Sequence, residues 1–424
     1  MNTIELNWNF IREQLPPGWR ELAVEMGLIH PVPPQLHSKI TDIEPILRLE
    51  LHRAGLQASL QTTTATAAAA KKAAEHKAEG NEEPNGPLVD LAATSLHAWE
   101  RKLGPYLAEL LARMVGANDV FSAMQWSGYE LVVADGTVVT RPGAKGTTAR
   151  VLYALRLSDM TLLKCLVTDE HGSESLRVFE VRTGQLWLCD RFYSNPEDIG
   201  WVVDAGGDVL VRYNRGALPL YDAEGHGFDV MAHVRALQKP EAMAEWSVWV
   251  HPKGDAPIKG RLCAVRLEEE QAEKARQWLR REYGAKVKAD ALEAAAWVMV
   301  FTTVSRKRLT TQQVLALYRL RWQVELEIKR EKSIGGLDKL PNFRDDTIST
   351  WLYAKLLLQQ IARKIVSAAV AFPPSAVAST VLPVSSRDPP EAAPHDTADR
   401  RRDVACHGAG LRSHPRRAAA HLTA

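Results

Sequence analysis

Asp135 follows Leu131-Val-Val-Ala134 and Asp190 follows Leu186-Trp-Leu-Cys189, so each acid comes at the carboxyl end of an apolar run of strand length. Open α/β sheets place their sites beyond the carboxyl ends of their strands. Two carboxylates there can share one hard cation through oxygen ligands. A turn offers another explanation, directly for Asp135 before Gly136 and less comfortably for Asp190, because Arg191-Phe-Tyr193 is not turn chemistry. A third acid lies in Tyr318-Arg-Leu-Arg-Trp-Gln-Val-Glu325-Leu-Glu-Ile-Lys-Arg-Glu-Lys332. Offsets of 3, 4 and 7 residues put Tyr318, Arg321, Glu325 and Lys332 on one stripe of a helix. A core stripe would be apolar; this one carries a phenol, two cations and a carboxylate, while Leu315, Val324 and Ile328 supply packing elsewhere. An ordinary i, i+4 ion pair between Arg321 and Glu325 on a surface helix remains the plainer reading of that segment.

The elements that must position these residues are legible in the hydrophobic period. Tyr129 to Ala134, Ala149 to Leu157 and Leu162 to Val167 read as three strands in hairpin order, with Ser158-Asp-Met160 as a tight turn. Gln185 to Cys189 and Val209 to Tyr213 follow as strands, and the order is the skeleton of an RNase H-like α/β sheet. From about 215 to 296 the pattern is interrupted by what reads as a mostly β insertion, in which Trp246 to Val250 and Arg261 to Leu267 alternate and Glu268 to Tyr283 is a charged helix. Trp297 to Thr302 is a buried strand, Thr310 or Thr311 can cap the next helix, and Gln312 to Lys332 reads as one strong helix. A last amphipathic helix covers Trp351 to about Val370.

The expected layout is a helical N-terminal region over 1–120, with a linker at about 62–87, and an RNase H-like core over 121–372 that ends in a C-terminal helical region; the family resemblance carried by the motifs quoted below implies that the first binds DNA and the second is catalytic. Residues 373–424 are Ala, Arg, Pro and His with almost no large apolar side chain; they read as a disordered tail or as an out-of-frame replacement of the C-terminus.

Composition narrows the class. With 46% hydrophobic and 25% charged residues in a chain of 424, the composition is that of a globular protein of two or three domains. No apolar run of about 18 residues appears, so no membrane span is expected, and the first 20 residues do not read as a signal peptide. The four cysteines, Cys165, Cys189, Cys263 and Cys406, form no Cys-x-x-Cys pair, which fits a reducing cytoplasm better than a zinc site or a disulfide framework. The net charge of +2 is uninformative, but Arg306 to Lys332 carries eight Lys or Arg against three Glu. Asp169-Glu-His171-Gly is better read as a polar hairpin turn than as a metal cluster. Gly143-Ala-Lys-Gly146 lacks the strand and helix of a phosphate-binding loop.

In Val133-Ala-Asp-Gly-Thr137, Leu188-Cys-Asp-Arg191 and the Tyr318–Lys332 spacing, and upstream in Arg101-Lys-Leu-Gly-Pro-Tyr106, the chain resembles bacterial DDE transposases of the insertion-sequence-four group, over roughly Ile46 to Leu358. The resemblance implies that Asp135, Asp190 and Glu325 are the catalytic acids and hold two Mg²⁺ ions, with Mn²⁺ able to substitute, for hydrolysis and strand transfer in cut-and-paste transposition. It implies that Tyr318, Arg321 and Lys332 grip phosphates, and that Trp297 stacks on a base flipped from the transposon end, although a core tryptophan is an equal reading. Arg212 is a phosphate contact by analogy or a solvated strand residue. The implied partners are double-stranded terminal-repeat and target DNA and a second copy of the chain. The implied location is the cytoplasm, on the nucleoid when DNA is bound. The alternative is a transposase-derived DNA-binding protein that is regulatory or defective.

Overall fold

The computed structural model describes residues 8–29, 40–77, 91–116, 127–340 and 345–369. Its first helices are α1 (Trp8–Gln14), α2 (Trp19–Glu25), α3 (Glu44–Leu56), α4 (Leu60–Lys77) and α5 (Ala93–Gly116). The Ala-rich stretch expected to fade into a linker from about 62 is helical through Lys77, as the high helix propensity of alanine favours. The expectations for 78–87 and for the 373–424 tail lie outside the described residues.

Three antiparallel strands follow, β1 (Glu130–Val139), β2 (Ala149–Arg156) and β3 (Thr161–Asp169). Then come β4 (Gln185–Cys189), α6 (Pro196–Asp204) and β5 (Asp208–Arg212), with β4 and β5 running parallel to β1. The next segment holds α7 (Val230–Val234), β6 (Met243–Val250), β7 (Ile258–Arg266), α8 (Glu269–Tyr283) and α9 (Ala289–Ala294), before β8 (Trp297–Thr302). The strands form one sheet in the order β3-β2-β1-β4-β5-β8-β7-β6. The fold is therefore mixed α/β. The insertion is not mostly β, since its strands have eight and nine residues and its helices five, fifteen and six. Nor do its strands stand apart: β7 pairs with β8 and extends the sheet.

The chain ends its described part with α10 (Thr311–Arg319), α11 (Trp322–Ser333) and α12 (Asp345–Ala369). Thr310 starts α10 with a reciprocal cap, its hydroxyl accepting from the Gln313 N–H while the Gln313 side chain accepts from Thr310 N–H. The single helix expected over Gln312 to Lys332 is broken at Leu320–Arg321. There the backbone switches to i→i−3 bonds, Leu320 N–H to Leu317, Arg321 to Tyr318, Gln323 to Leu320 and Val324 to Arg321, the tighter 3₁₀ pattern. None of the described helices is long and apolar enough to cross a membrane.

β4 is buried along its whole length, as are the first eight residues of β1. Both sheet faces are therefore covered, as a parallel centre requires. Alternation sends Leu131 and Val133 into a core shared with the N-terminal helices, α10, α11 and α12, and Val132 and Ala134 into a second core with Leu176, Phe179 and Ile199. The N-terminal helices thus share one continuous core with the sheet. α5 and α12 cross closely at Gly104, where a Cβ would come within 2.8 Å of Ser349 Oγ. Arg53 of α3, fully buried, bonds Glu50 at 2.9 Å, pairs with Glu100 of α5, and lies 4.6 Å from the Trp351 ring of α12. Burial, then the charge of Glu50, pushes the Glu100 carboxyl up to about 7 against the pull of Arg53. Arg53→Ala would strand two buried carboxylates. It is expected to lower the unfolding free energy by about 3–5 kcal/mol in a denaturant titration, and a loss below about 1 kcal/mol would mean that the acids reach water or protonate freely.

Candidate active site

The register of the parallel strands sets the position of the acids. β1 pairs with β4 as far as Ala134 opposite Cys189, and β4 with β5 as far as Cys189 opposite Val211. Asp135, Asp190 and Arg212 are the next residues on three neighbouring strands, so they stand side by side at one sheet edge. The strand spacing puts neighbouring backbones about 5 Å apart. Asp135 does not end its strand, as the sequence suggested: β1 continues to Val139 along β2, because Thr137-Val-Val139 suits a strand. It is β4 that leaves the sheet, into a 3₁₀ turn over Arg191–Tyr193 whose first free N–H groups Asp190 caps, accepting from Phe192 N–H at 2.6 Å. That departure opens the edge beside Asp135.

Continuing the alternation of Leu131 and Val133, Asp135 faces the helical layer that contains α11. Arg321, at the break between α10 and α11, donates through Nη1 to Asp135 Oδ2 at 3.4 Å and through Nη2 to Glu325 Oε1. The i, i+4 pair expected with Glu325 is therefore present, but it is not a solvated surface pair: the Arg321 and Glu325 side chains are 17% and 24% exposed. Burial alone would lower the pKa of Arg321, yet Tyr318, Asp135, Glu325 and Asp190 more than offset this and raise it. Burial pushes the Asp135 carboxyl up to about 8, Arg321 opposes the rise, and Asp190 and Glu174 add to it. The helix break thus brings the three sequence-predicted acids into the field of one guanidinium. Among the described residues no three acid, His or Cys side chains stand close enough together to hold a metal ion as they are.

The other expected residues divide. Tyr318 lies within electrostatic reach of Arg321, Arg212 and Asp190, so it and Arg212 belong to the same edge. Lys332 Nζ donates to the Val138 carbonyl at 3.2 Å, which ties the end of α11 to β1 beyond the acids. Trp297 opens β8, is 6% exposed, donates weakly to the Leu237 carbonyl at 3.4 Å and has the Arg266 guanidinium 4.5 Å from its ring. It packs in the core with Val234, Ala264 and Phe301. Asp169 accepts from His171 and Gly172 N–H groups at 2.9 and 3.0 Å, the polar turn expected there. Cys165, Cys189 and Cys263 are unbridged.

Three features were not visible in the sequence. Glu174, in the loop before β4, sits against the strand beside Asp135: a Cβ on Gly136 would lie 2.9 Å from its Oε1. Arg150 Nη1 donates to that oxygen at 2.9 Å. Tyr193 brings a fully buried phenol against Ala134, Cys189 and Leu152, on the sheet face opposite α11. Arg191 donates to the Tyr283 hydroxyl at 3.1 Å and lies 5.5 Å from the ring of Trp278, which is exposed, so α8 of the insertion packs beside Asp190. The neighbours of Asp190 in sequence, Arg191-Phe-Tyr, carry no turn signal, and that was the available hint.

A pH dependence is expected for the protein in EDTA. Between the ordinary aspartate pKa and about 8, folded Asp135 keeps a proton that the unfolded chain has lost. Its contribution to stability is therefore full at acid pH and is lost as pH rises through that window. Asp135→Asn lacks this penalty. Its thermal midpoint relative to wild type should rise steadily from pH 5 to pH 8 in EDTA, and a constant difference would show that the carboxyl is not held protonated.

The family model of the transposase DDE domain matches residues 126–359, a span that contains all three acids. The putative transposase InsL for insertion sequence element IS186A of Escherichia coli (strain K12) is 31% identical over 261 residues, covering 60% of this chain and 70% of that protein. The transposase for insertion sequence element IS421 of Escherichia coli matches to the same extent. Among solved structures, the piggyBac transposase synaptic complex with hairpin DNA aligns over 92% of this chain and 85% of that one, at 6% identity and a TM-score of 0.34, too loose a likeness to carry an argument. With the family model matching more than half of its length, this chain belongs to the DDE transposases.

Proposed function

We propose that the chain is a cut-and-paste transposase of the insertion-sequence-four group, with Asp135, Asp190 and Glu325 as the catalytic acids of an RNase H-like core. The observation that carries this reading is the convergence of the three carboxylates on Arg321 at the edge where β1 and β4 part. The β3-β2-β1-β4-β5 order, three antiparallel strands followed by two parallel ones, supports the RNase H-like assignment. The spacing Tyr318, Arg321, Glu325, Lys332 supports the group.

The donor set fits a pair of Mg²⁺ ions, with Mn²⁺ as substitute. Three acids lie at one edge about Arg321, not yet close enough together to share an ion, and hard cations take such oxygen ligands. When bound, the ions supply Lewis-acid charge at the attacking and leaving oxygens of an in-line displacement. Asp135 must give up its proton to serve as a ligand, and Arg321 must release Glu325. Arg321, Tyr318 and Arg212 then face a phosphate at the same edge, where fixed positive charge meets the negative charge that builds up in the reaction. In hydrolysis a water oxygen bonds to phosphorus, the bond to the 3′-oxygen breaks, and that oxygen leaves as the free 3′-hydroxyl of the element. In strand transfer this hydroxyl attacks a phosphorus of target DNA and the target's own 3′-oxygen departs. Pairing two ends calls for two copies of the chain, and helical elements before β1 would bind the terminal repeats.

The test is cleavage of a labelled duplex carrying the element's own terminal repeat, with Mg²⁺, with Mn²⁺ and with EDTA. Wild type should cut at the repeat boundary only with metal. Asp135→Asn, Asp190→Asn and Glu325→Gln should each slow cutting by roughly 10²–10³-fold or more while binding the duplex as well as wild type. Cutting in EDTA, or by these variants, would sink the assignment. Arg321→Ala should weaken duplex binding and reduce the slope of log affinity against log salt by about 1; an unaltered slope would return Arg321 to a purely internal role.

A further inference from the structure

α8 leaves the sheet at the edge that carries the acids. Arg212 ends β5 opposite Val300, and Arg266 ends β7 opposite Trp297, which lies further along β8 toward that same edge. From there the fifteen residues of α8 span about 22 Å, and Tyr283 at the end of the helix meets Arg191, the residue after Asp190. The helix packs on the sheet face opposite α11, since Ala272 is buried in the core that holds Ala134 and Cys189.

The charges of α8 divide along its length. Glu269, Glu270 and Glu273 in its first turns pair with Lys274, Arg276 and Arg280. Lys274 to Lys288 still carries six Lys or Arg against one acid, Glu282. Arg281, Lys286 and Lys288 are exposed, and among the described residues they and Arg191 have no ion-pair partner. Arg191 is held by aromatic groups instead. Its Nη2 donates to the Tyr283 hydroxyl at 3.1 Å, and its guanidinium lies 5.4 Å from the Phe192 ring and 5.5 Å from that of Trp278. Trp278 is 39% exposed and meets Tyr283 edge-on. A run of like charges is usually a solvated helix face. This one surrounds an exposed indole and adjoins an arginine that stands at the end of a central strand without a counter-ion, an arrangement that suits an anion arriving from outside.

Duplex DNA carries one negative charge per about 1.7 Å of its axis, so a phosphate held at the strand ends on the α11 side brings others with it. We propose that Arg191 and the C-terminal end of α8, through Arg281, Lys286 and Lys288, bind the DNA backbone next to the position of cleavage, from the sheet face opposite Arg321. The inference rests on the reading of the chain as an enzyme that cuts DNA at the Asp135–Asp190 edge.

Arg191 adjoins Asp190, so the test uses the exposed cations. Arg281→Ala/Lys286→Ala is compared with Lys253→Ala/Lys307→Ala, an equal change of net charge in loops at the other edge of the sheet. Each full-length protein is titrated in EDTA against a labelled duplex carrying the terminal repeat and its flank, from about 50 to 200 mM salt. Arg281→Ala/Lys286→Ala should reduce the slope of log affinity against log salt by about 2, and Lys253→Ala/Lys307→Ala should keep the wild-type slope. A wild-type slope in Arg281→Ala/Lys286→Ala overturns this inference, and a changed sedimentation mass beside it assigns the patch to a second copy of the chain. Equal losses in the two pairs also overturn it, because they report net charge alone. Both results leave the enzyme reading standing. Absence of duplex binding by wild type overturns the DNA reading and this inference together.

Discussion

Asp135, Asp190 and Glu325 would repel one another at the sheet edge if nothing positive stood among them, and the guanidinium of Arg321 stands there. Two unit charges about 5 Å apart repel by roughly 3 kcal/mol at an effective dielectric of about 20, and the strand spacing allows Asp135 and Asp190 little more separation than that. A proton on Asp135 relieves part of the repulsion and Arg321 relieves more. The local backbone is consistent with this need. A regular helix through 320–321 would carry the stripe straight past the sheet, whereas the 3₁₀ break lets one side chain bond both Asp135 on β1 and Glu325 on α11.

The rest of the fold holds that edge in place. The parallel pairing of β1 with β4 ends at Ala134 and Cys189, and both residues are fully buried, so neither acid can slide along its strand without pulling an apolar neighbour out of the core. The α10–α11 segment is held at both ends. Arg261 of β7 donates to the Val304 and Leu309 carbonyls, each at 2.9 Å, just before α10, and Lys332 ties the far end to β1. The insertion thereby takes part in the geometry of the edge, through β7 pairing with β8 as well as through α8 beside Asp190.

Much of this was legible in the residues themselves. β4 and β8 were read with their boundaries because buried strands between turn residues are continuous apolar runs, and the Thr310 cap was visible as a side chain type at the right place. The two acids after apolar runs pointed to one sheet edge because the period of a strand is fixed. The helix break was hidden, since Tyr318 to Trp322 contains no Gly or Pro and each residue is an acceptable helix former; the break comes from contacts across 186 residues of sequence between Arg321 and Asp135. The full length of β1 was missed because an aspartate and a glycine normally end a strand, whereas here Asp135 and Gly136 stay paired with Tyr153 and Leu152. Glu174 and Tyr193 could not be found at all from local pattern. A loop glutamate and a tyrosine in a short turn acquire meaning only when tertiary packing brings them against the sheet, one beside Gly136 and the other against Ala134 and Cys189.

An arrangement of this kind is a poor way to stabilise a protein. Taking several charges out of water costs more than their mutual attraction returns unless geometry and hydrogen bonding are very good, and apolar replacements of the same volume are often neutral or better. The Arg53 group shows that this fold uses a buried cation between two carboxylates where three helices must be joined. The Arg321 group joins elements that other contacts already fix, and it lies at an opening rather than inside a helix junction. It also leaves Asp135 with a proton that a doubly charged ion would displace. An edge that keeps three acids about one positive charge gains little stability from them, which is what the proposed reading, in which that charge gives way to a divalent cation and a DNA phosphate, would require.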